Sequence, residues 1–169
     1  MSRFAPAGFV TAAIVFVVDQ AIKIWVTGPL GIDQLGAYRE IVSFFDLRFV
    51  PNIGVSLGLL PAGSPAMRWA IVALTGAIAL GVAVWLTRET NRYDRMALGL
   101  VLGGAIGNIL DRIRFGYVVD FLDFSGTGVF PWVFNIADSA ITVGVVLLIL
   151  DSVLSERKSV PVGAAPEKS

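Results

Sequence analysis

The sequence predicts an all-α integral membrane protein with four transmembrane helices and a small extracytoplasmic β cradle. Hydrophobic residues make up 56% of the 169 positions and charged residues only 15%, whereas soluble domains have about 45–50% and about 25%. The mean hydropathy is +0.77. The apolar residues are also gathered into long stretches. Together these features indicate a chain that folds in a lipid bilayer.

Four apolar stretches are long enough to span a membrane. They cover residues of about 9–26, 69–86, 96–112 and 132–154. Each approaches the ~20 residues that a helix needs to cross a ~30 Å hydrocarbon core. We therefore expect one membrane domain over residues 1–154, with both chain ends on the same side.

Basic residues predict which side that is. The connection between the second and third spans holds Arg88, Arg92 and Arg95, and the C-terminal segment holds Arg157 and Lys158. Cytoplasmic loops are enriched in Lys and Arg, so both termini are expected in the cytoplasm, although basic residues at 112 and 114 weaken the bias. Residues 155–169 lack apolar periodicity and predict a disordered cytoplasmic tail.

The segment between the first two spans, residues of about 28–66, carries a β signature. Residues 40–50 read EIVSFFDLRFV, which is rich in β-branched and aromatic side chains. Pro51-Asn52 then indicates a turn. These observations predict a small β-rich element at the outer membrane surface.

Missing residue types exclude several functions. The chain has no Cys and no His, so a thiol nucleophile, a His-based triad and the usual His/Cys zinc or haem sites are excluded. The net charge is zero and basic residues are scattered, which argues against a nucleic-acid partner. An enzyme built from this sequence must use carboxylates, Lys, Ser or Tyr.

Charged residues inside the first span require an explanation. Asp19 and Lys23 lie one helical turn apart on the same face. Because isolated charges at membrane depth are costly, we expect a structural ion pair. The alternative is that Lys23 acts as a general base for a serine nucleophile such as Ser56.

Acids recur near the ends of the last two spans. The pattern Asn-x-x-Asp occurs as Asn108 with Asp111 and as Asn135 with Asp138, which would place amide and carboxylate on one helical face. Asp120 lies between the two motifs, and we expect Asp120 and Asp138 at the outer ends of their spans. Two carboxylates that share a site keep one proton between them, which is the chemistry of an aspartic protease. The alternative is that these acids are simply solvated at the interface.

Five sequence blocks resemble the lipoprotein signal peptidase family, also called signal peptidase II. They occur in the family's order and cover nearly all of the chain before the tail. The blocks are Asp19-Gln20-x-x-Lys23, Val50-Pro51-Asn52-Ile53-Gly54, Gly103 to Arg112, Val118-Val119-Asp120-Phe121 and Phe134-Asn135-Ile136-Ala137-Asp138-Ser139.

The resemblance implies an aspartic membrane endopeptidase of the bacterial cytoplasmic (inner) membrane, with its active site near the outer face. Such an enzyme cuts diacylglyceryl-modified prolipoproteins just before the lipidated Cys. The resemblance implies no metal or other cofactor, and it implies cyclic peptide antibiotics of the globomycin type as inhibitors. We expect the chain to be a monomer.

The resemblance also implies a role for each matched residue. Asp120 and Asp138 match the catalytic acids. Asp111 would orient the site and Arg112 would contact the substrate or inhibitor. Four matched positions would line the site, namely Asn52, Gly54, Asn108 and Asn135. Two others, Asp19 and Lys23, would support stability.

One block departs from the family. Val55-Ser56-Leu57 follows Gly54 where the family has two small residues and an aromatic, so substrate fit or inhibitor sensitivity is expected to differ.

Two other functions remain as alternatives. Asp120-x-x-Asp123 is similar to the metal-binding acids of membrane phosphatidyl-alcohol transferases, but the rest of that motif is absent. A proton-relaying transporter would require paired broken helices in an inverted repeat, which the sequence does not contain. Sensitivity to chelators and proton flux in liposomes would distinguish these functions from a peptidase.

Overall fold

The computed structural model describes residues 5–54 and 64–159. Four long helices are present, α1 (Ala5–Thr27), α2 (Pro65–Arg88), α3 (Arg92–Phe115) and α4 (Ile136–Ser159). Four strands accompany them, β1 (Tyr38–Val42), β2 (Phe45–Asn52), β3 (Val118–Asp123) and β4 (Val133–Phe134). The substitution at Val55-Ser56-Leu57, and with it the alternative pairing of Lys23 with Ser56, lies outside the described residues.

The four helices confirm the predicted membrane architecture. All four are long and apolar enough to cross a bilayer. Large apolar side chains on their outer faces, such as Ile14, Leu74, Leu80 and Ile149, are each more than half exposed. A helix with this pattern in water would be unstable, whereas in a bilayer these faces contact lipid.

Helix α3 lies at the centre of the bundle because its glycines permit close approach on two sides. Gly103 packs against the backbone of Ala12 in α1, and Gly104 packs against the backbone of Ala137 in α4. Any side chain at Gly104 would displace the first turn of α4. The glycines therefore set the distance between α3 and the part of α4 that carries Asp138.

The sheet is antiparallel in the order β1-β2-β3-β4. Its first two strands form a hairpin within the predicted β-rich segment. The predicted turn at Pro51-Asn52 is wrong, because Pro51 pairs with Val119 and Asn52 with Val118. The strand ends at Asn52, and Gly54 follows it with a φ of 89°.

The sheet is fastened to the end of α1 by an apolar core. Its buried residues include Val26 from α1, Phe49 from β2 and both Val119 and Phe121 from β3. Val119 is 4% exposed and Phe121 is 1% exposed. Because these two residues flank Asp120, the core holds that acid in place from both sides.

The ends of α4 differ from the predicted fourth span, 132–154. The helix begins at Ile136 because Val133 and Phe134 pair with Asp123 and Leu122 of β3. It continues to Ser159, five residues into the segment for which disorder was predicted. Residues 160–169 lie outside the described part of the chain.

Candidate active site

Asp120 lies on strand β3 and is 2% exposed. The prediction that it ends the third span is wrong. Helix α3 stops at Phe115, where Gly116 takes a left-handed conformation with φ 87°, and the chain then enters β3. Both carboxylate oxygens of Asp120 accept hydrogen bonds, Oδ1 from Asn135 Nδ2 at 2.6 Å and Oδ2 from Asn52 Nδ2 at 2.9 Å.

Asp138 lies in the first turn of α4, where it forms a capping box with Asn135. Asn135 Oδ1 accepts from the backbone N–H of Asp138 at 2.9 Å, and Asp138 Oδ2 accepts from the backbone N–H of Asn135 at 3.3 Å. Asn135 thus precedes the helix, so the prediction that it shares a helical face with Asp138 is wrong. Its cap position still brings the two side chains together.

Two asparagines connect the acids. Asn108 Nδ2 donates to Asp138 Oδ1 at 2.7 Å, and Asn108 Oδ1 accepts from Asn135 Nδ2 at 3.3 Å. Asn135 Nδ2 also donates to Asp120. The amide oxygens of Asn108 and Asn135 are occupied by other donors, so their NH₂ groups are directed at the acids.

Gly54 orients the third amide. Its backbone N–H donates to Asn52 Oδ1 at 2.9 Å, which leaves Asn52 Nδ2 facing Asp120. A Cβ at Gly54 would lie 2.6 Å from Ile71 Cδ1, and a positive φ is unfavourable for other residues. Gly54 therefore acts on Asp120 through Asn52.

The environment of Asp120 raises its pKa to about 6. Burial is the main cause, and the negative charge of Asp138 adds to it. The hydrogen bonds from Asn52 and Asn135 act in the opposite direction but are outweighed. Asp138 is thus close enough to influence the ionisation of Asp120, which favours a state in which the two acids share one proton.

Behind the acids lies an ionic cluster, which we define as Asp19, Gln20, Lys23 and Asp111. Lys23 Nζ lies 2.8 Å from Asp19 Oδ2 and 2.8 Å from Asp111 Oδ2. Gln20 Nε2 donates to both carboxylates, at 3.1 Å and 3.0 Å. The spacing in α1 predicted contact between Asp19 and Lys23, whereas their shared contact with Asp111 on α3 depends on helix packing.

Arg112 has a guanidinium N–H group that is available to a ligand. Its Nη1 donates to the backbone oxygen of Asn108 at 3.3 Å. Its buried Nε has no hydrogen-bond partner among the described residues. Arg112 and Asn108 line a cavity of about 180 Å³ between α2, α3 and α4, with Thr75 and Ile141 among its other residues. A polar group entering this cavity could accept a hydrogen bond from Arg112.

A second cavity reaches Asp138 from the α4 side. Its volume is about 310 Å³, and its lining includes Phe130, Phe134 and Val143. These aromatic residues were not among the site residues predicted from the sequence. The aromatic run between residues 130 and 134 was the available indication.

Asp123 faces away from this arrangement. Its Oδ2 accepts from Arg48 Nε at 2.6 Å, and its Oδ1 accepts from the backbone N–H of Ser125 at 2.8 Å. Asp120 and Asp123 therefore have different partners, and this geometry does not support the shared metal site of the transferase alternative.

Comparisons with known proteins identify the family of the chain. A family profile described as signal peptidase (SPase) II matches residues 11–154. The lipoprotein signal peptidase of Rhizorhabdus wittichii is 52% identical, over 95% of this chain and 93% of its own length. That of Caulobacter vibrioides is 46% identical, over 88% and 87%. A solved structure described as a bacterial membrane enzyme has a TM-score of 0.74 at 28% identity, covering 86% of this chain and 91% of its own. The chain therefore belongs to the signal peptidase II family, a family of membrane peptidases that process lipoproteins.

Proposed function

We propose that the chain is an aspartic endopeptidase that removes the signal peptide from diacylglyceryl-modified prolipoproteins by cutting just before the lipidated Cys. Asp120 and Asp138 are the catalytic pair. The observation that carries this proposal is the arrangement of the two acids, which come from different elements and are joined through Asn108 and Asn135.

The two acids divide the chemistry between them. At working pH the pair holds one proton, because two adjacent carboxylates do not both ionise readily. The ionised acid removes a proton from a water molecule, which attacks the scissile carbonyl carbon. The protonated acid donates its proton to the carbonyl oxygen. As the tetrahedral intermediate collapses, the C–N bond breaks and the leaving amine takes a proton from one acid. A hydroxyl of the intermediate gives its proton to the other acid, so the pair again holds one proton.

Neighbouring side chains keep this geometry and bind the peptide. Asn52, Asn108 and Asn135 hold the carboxylate oxygens in fixed positions. The free Nε of Arg112 can donate to a backbone carbonyl of the substrate. These side chains supply all the groups that the reaction needs, and we propose that no metal or other cofactor takes part.

The cavities suit a lipid-modified substrate. One is lined by Asp138 and the other by its hydrogen-bond partner Asn108. Both are lined largely by apolar side chains, such as Ile78 in one and Phe130 in the other. The apolar part of the signal peptide and the acyl chains could remain in the bilayer while the scissile bond reaches Asp138. Cyclic peptides of the globomycin type would occupy the same space and act as inhibitors.

We propose the bacterial cytoplasmic membrane as the location, with a monomer as the working unit. The arginines of the α2–α3 connection favour cytoplasmic termini. The sheet and the acids then lie at the outer face, where exported prolipoproteins arrive. The β cradle would meet the substrate there.

Cleavage of a diacylglyceryl prolipoprotein by the purified chain in detergent tests the proposal. Mass spectrometry should show a product that begins at the lipidated Cys. Asp120→Asn and Asp138→Asn should each lower turnover by at least ~10²-fold, since each removes one half of an acid/base pair, and the double variant should be no worse.

Asp123→Asn is the matched control, because Asp123 lies three residues from Asp120 on the same strand but contacts Arg48. It should keep substantial activity. An inactive Asp123→Asn together with an active Asp120→Asn would show that the catalytic pair is assigned incorrectly.

A further inference from the structure

The ionic cluster makes one backbone contact beside each acid. Asp19 Oδ1 accepts a hydrogen bond at 3.0 Å from the backbone N–H of Ala137, the residue directly before Asp138. Asp111 Oδ2 accepts at 3.2 Å from the backbone N–H of Val119, the residue directly before Asp120. The two carboxylates of the cluster therefore hold the two acid-bearing segments at corresponding points.

Lys23 joins these two contacts and adds a third. It lies 2.8 Å from both carboxylates, so it sets the distance between them. Lys23 Nζ also donates to Asn108 Oδ1 at 3.3 Å, and the NH₂ group of Asn108 donates to Asp138. A rotated Asn108 amide would place its NH₂ group against the ammonium, which is unfavourable, so Lys23 fixes the amide orientation that Asp138 needs.

The cluster is buried and tightly packed, so a change within it would displace the backbone segments that it contacts. Asp19 is 0% exposed, Lys23 is 4% exposed and Asp111 is 1% exposed. Asp19 packs closely against α3, because a Cβ at Gly107 would lie 2.7 Å from Asp19 Oδ2. Buried polar groups with all partners in place occupy one geometry.

From these contacts we infer that Asp19 and Lys23 are positioning residues, which together with Asp111 set the separation of Asp120 and Asp138 for catalysis. This goes beyond a stabilising ion pair, because an ion pair could stabilise the bundle without contacting the acid-bearing segments. The inference rests on the proposed function of the two acids. A displacement of about 1 Å in a reacting group can lower turnover by about 10²-fold.

Asp19→Asn separates positioning from stability. Its one remaining oxygen is drawn to Lys23 and Gln20, which both donate to Asp19 Oδ2 in the native protein. Its NH₂ group then faces the N–H of Ala137, a donor against a donor. Lys23 also keeps its contact with Asp111, so no unpaired charge is left in the bundle. The variant should fold with most cluster contacts intact while the start of α4 is displaced.

Gln20→Leu is the matched control from the same cluster. It removes the hydrogen bonds of Gln20 to both carboxylates but leaves the contacts with Ala137, Val119 and Asn108. It should lower the melting temperature and keep kcat within about threefold of the native value.

The experiment measures kcat, KM and melting temperature of both variants on a diacylglyceryl prolipoprotein in detergent. We expect Asp19→Asn to lower kcat by about 10- to 100-fold with little change in KM. If Asp19→Asn yields too little folded protein, Asp19→Ala replaces it, since it also removes the acceptor for Ala137 and leaves Lys23 paired with Asp111.

Full turnover of the folded Asp19 variants, or a loss of kcat in Gln20→Leu as large as theirs, would overturn the inference. Asp120→Asn and Asp138→Asn are measured in parallel. Activity in those variants would refute the proposed catalytic pair, whereas their inactivity beside a fully active Asp19→Asn would refute only the positioning role.

Discussion

Replacing Asp120 with Asn should change how the stability of the protein depends on pH. The pKa of Asp120 is about 6 in the folded protein, against an ordinary value of 3.8. At about 1.4 kcal/mol per pKa unit, ionisation of this one group destabilises the folded state by about 3 kcal/mol at high pH.

The sign follows from the raised pKa. Well below the ordinary pKa of 3.8 the group is protonated in both the folded and unfolded states, so the penalty is absent. It grows as the pH rises and is complete above the folded pKa of about 6. About 2 kcal/mol of it develops between pH ~4.5 and pH ~7.5. The Asn side chain of Asp120→Asn cannot ionise, so the variant does not have this penalty. Its altered hydrogen bonds to Asn52 and Asn135 will also change the stability, but by the same amount at every pH.

Thermal unfolding in detergent micelles at the two pH values provides the assay. For a chain of this length, 1 kcal/mol corresponds to about 2–4 °C. Relative to the native protein, the Asn variant should therefore gain about 4–8 °C on going from the lower to the higher pH. An identical melting-temperature difference at both pH values would show that Asp120 has an ordinary pKa, and the physical basis for the shared proton would be lost.

Asp123→Asn is the control, because the pKa of Asp123 is shifted in the opposite direction. Burial raises the pKa of Asp123, but the hydrogen bonds from Ser125 and the pairing with Arg48 outweigh burial, so the net effect lowers the pKa. The stability that Asp123 contributes is therefore present above its ordinary pKa and is lost as the pH falls. Both assay pH values lie above the ordinary pKa of 3.8, so replacing Asp123 should change the melting temperature by nearly the same amount at both.

Three further predictions concern topology, the site and cofactors. Reporters fused after Arg92 and after Lys158 should be cytoplasmic and a reporter near Ala37 external; the reverse pattern would place the acids on the wrong side for exported substrates. Gly54→Ala should lower kcat by about tenfold, because the contact of its Cβ with Ile71 and the strain of a positive φ would misdirect Asn52, and unchanged turnover would remove Gly54 from the site. Chelators should leave the cleavage rate unchanged, and inhibition that is reversed by added metal would contradict a metal-free mechanism.

Local patterns in the sequence were sufficient to predict the helices. Apolar length alone identifies each of the four spans, because a bilayer requires continuous hydrophobic segments. The exact ends depend on other information. Gly116 ends α3 through its left-handed conformation, and the pairing of Val133 and Phe134 with β3 delays the start of α4.

Strand β3 could not be predicted in the same way. Its partner β2 lies about 70 residues earlier in the chain, with Val50 opposite Asp120, and strand pairing over such distances leaves no local period to detect. For the same reason Pro51 was taken as a turn. Proline is compatible with this part of the strand because β1 pairs with β2 only from Phe45 to Arg48, so that Pro51 lies beyond the end of β1.

Contacts between spans also could not be predicted from the sequence. The spacing of Asp19 and Lys23 within one helix predicts their contact, but the approach of Asp111 to Lys23 depends on the glycines that bring α3 against α1. Single-sequence patterns contain no distances between helices. The resemblance to a family named most of the residues at the site, but it did not indicate which of them contact each other.

The choice of amides around the acids is consistent with a shared proton. The carboxylate oxygens of Asp120 and Asp138 accept their side-chain hydrogen bonds from Asn52, Asn108 and Asn135. A neutral amide holds a carboxylate in place without the strong stabilisation of its ionised form that a directly bonded ammonium would provide. The buried ammonium of Lys23 contacts Asn108, which in turn donates to Asp138, and its charge is largely neutralised by two other carboxylates. The chain thus combines a rigid charged cluster for positioning with neutral donors at the acids, which leaves the protonation state of the pair free to change during the reaction.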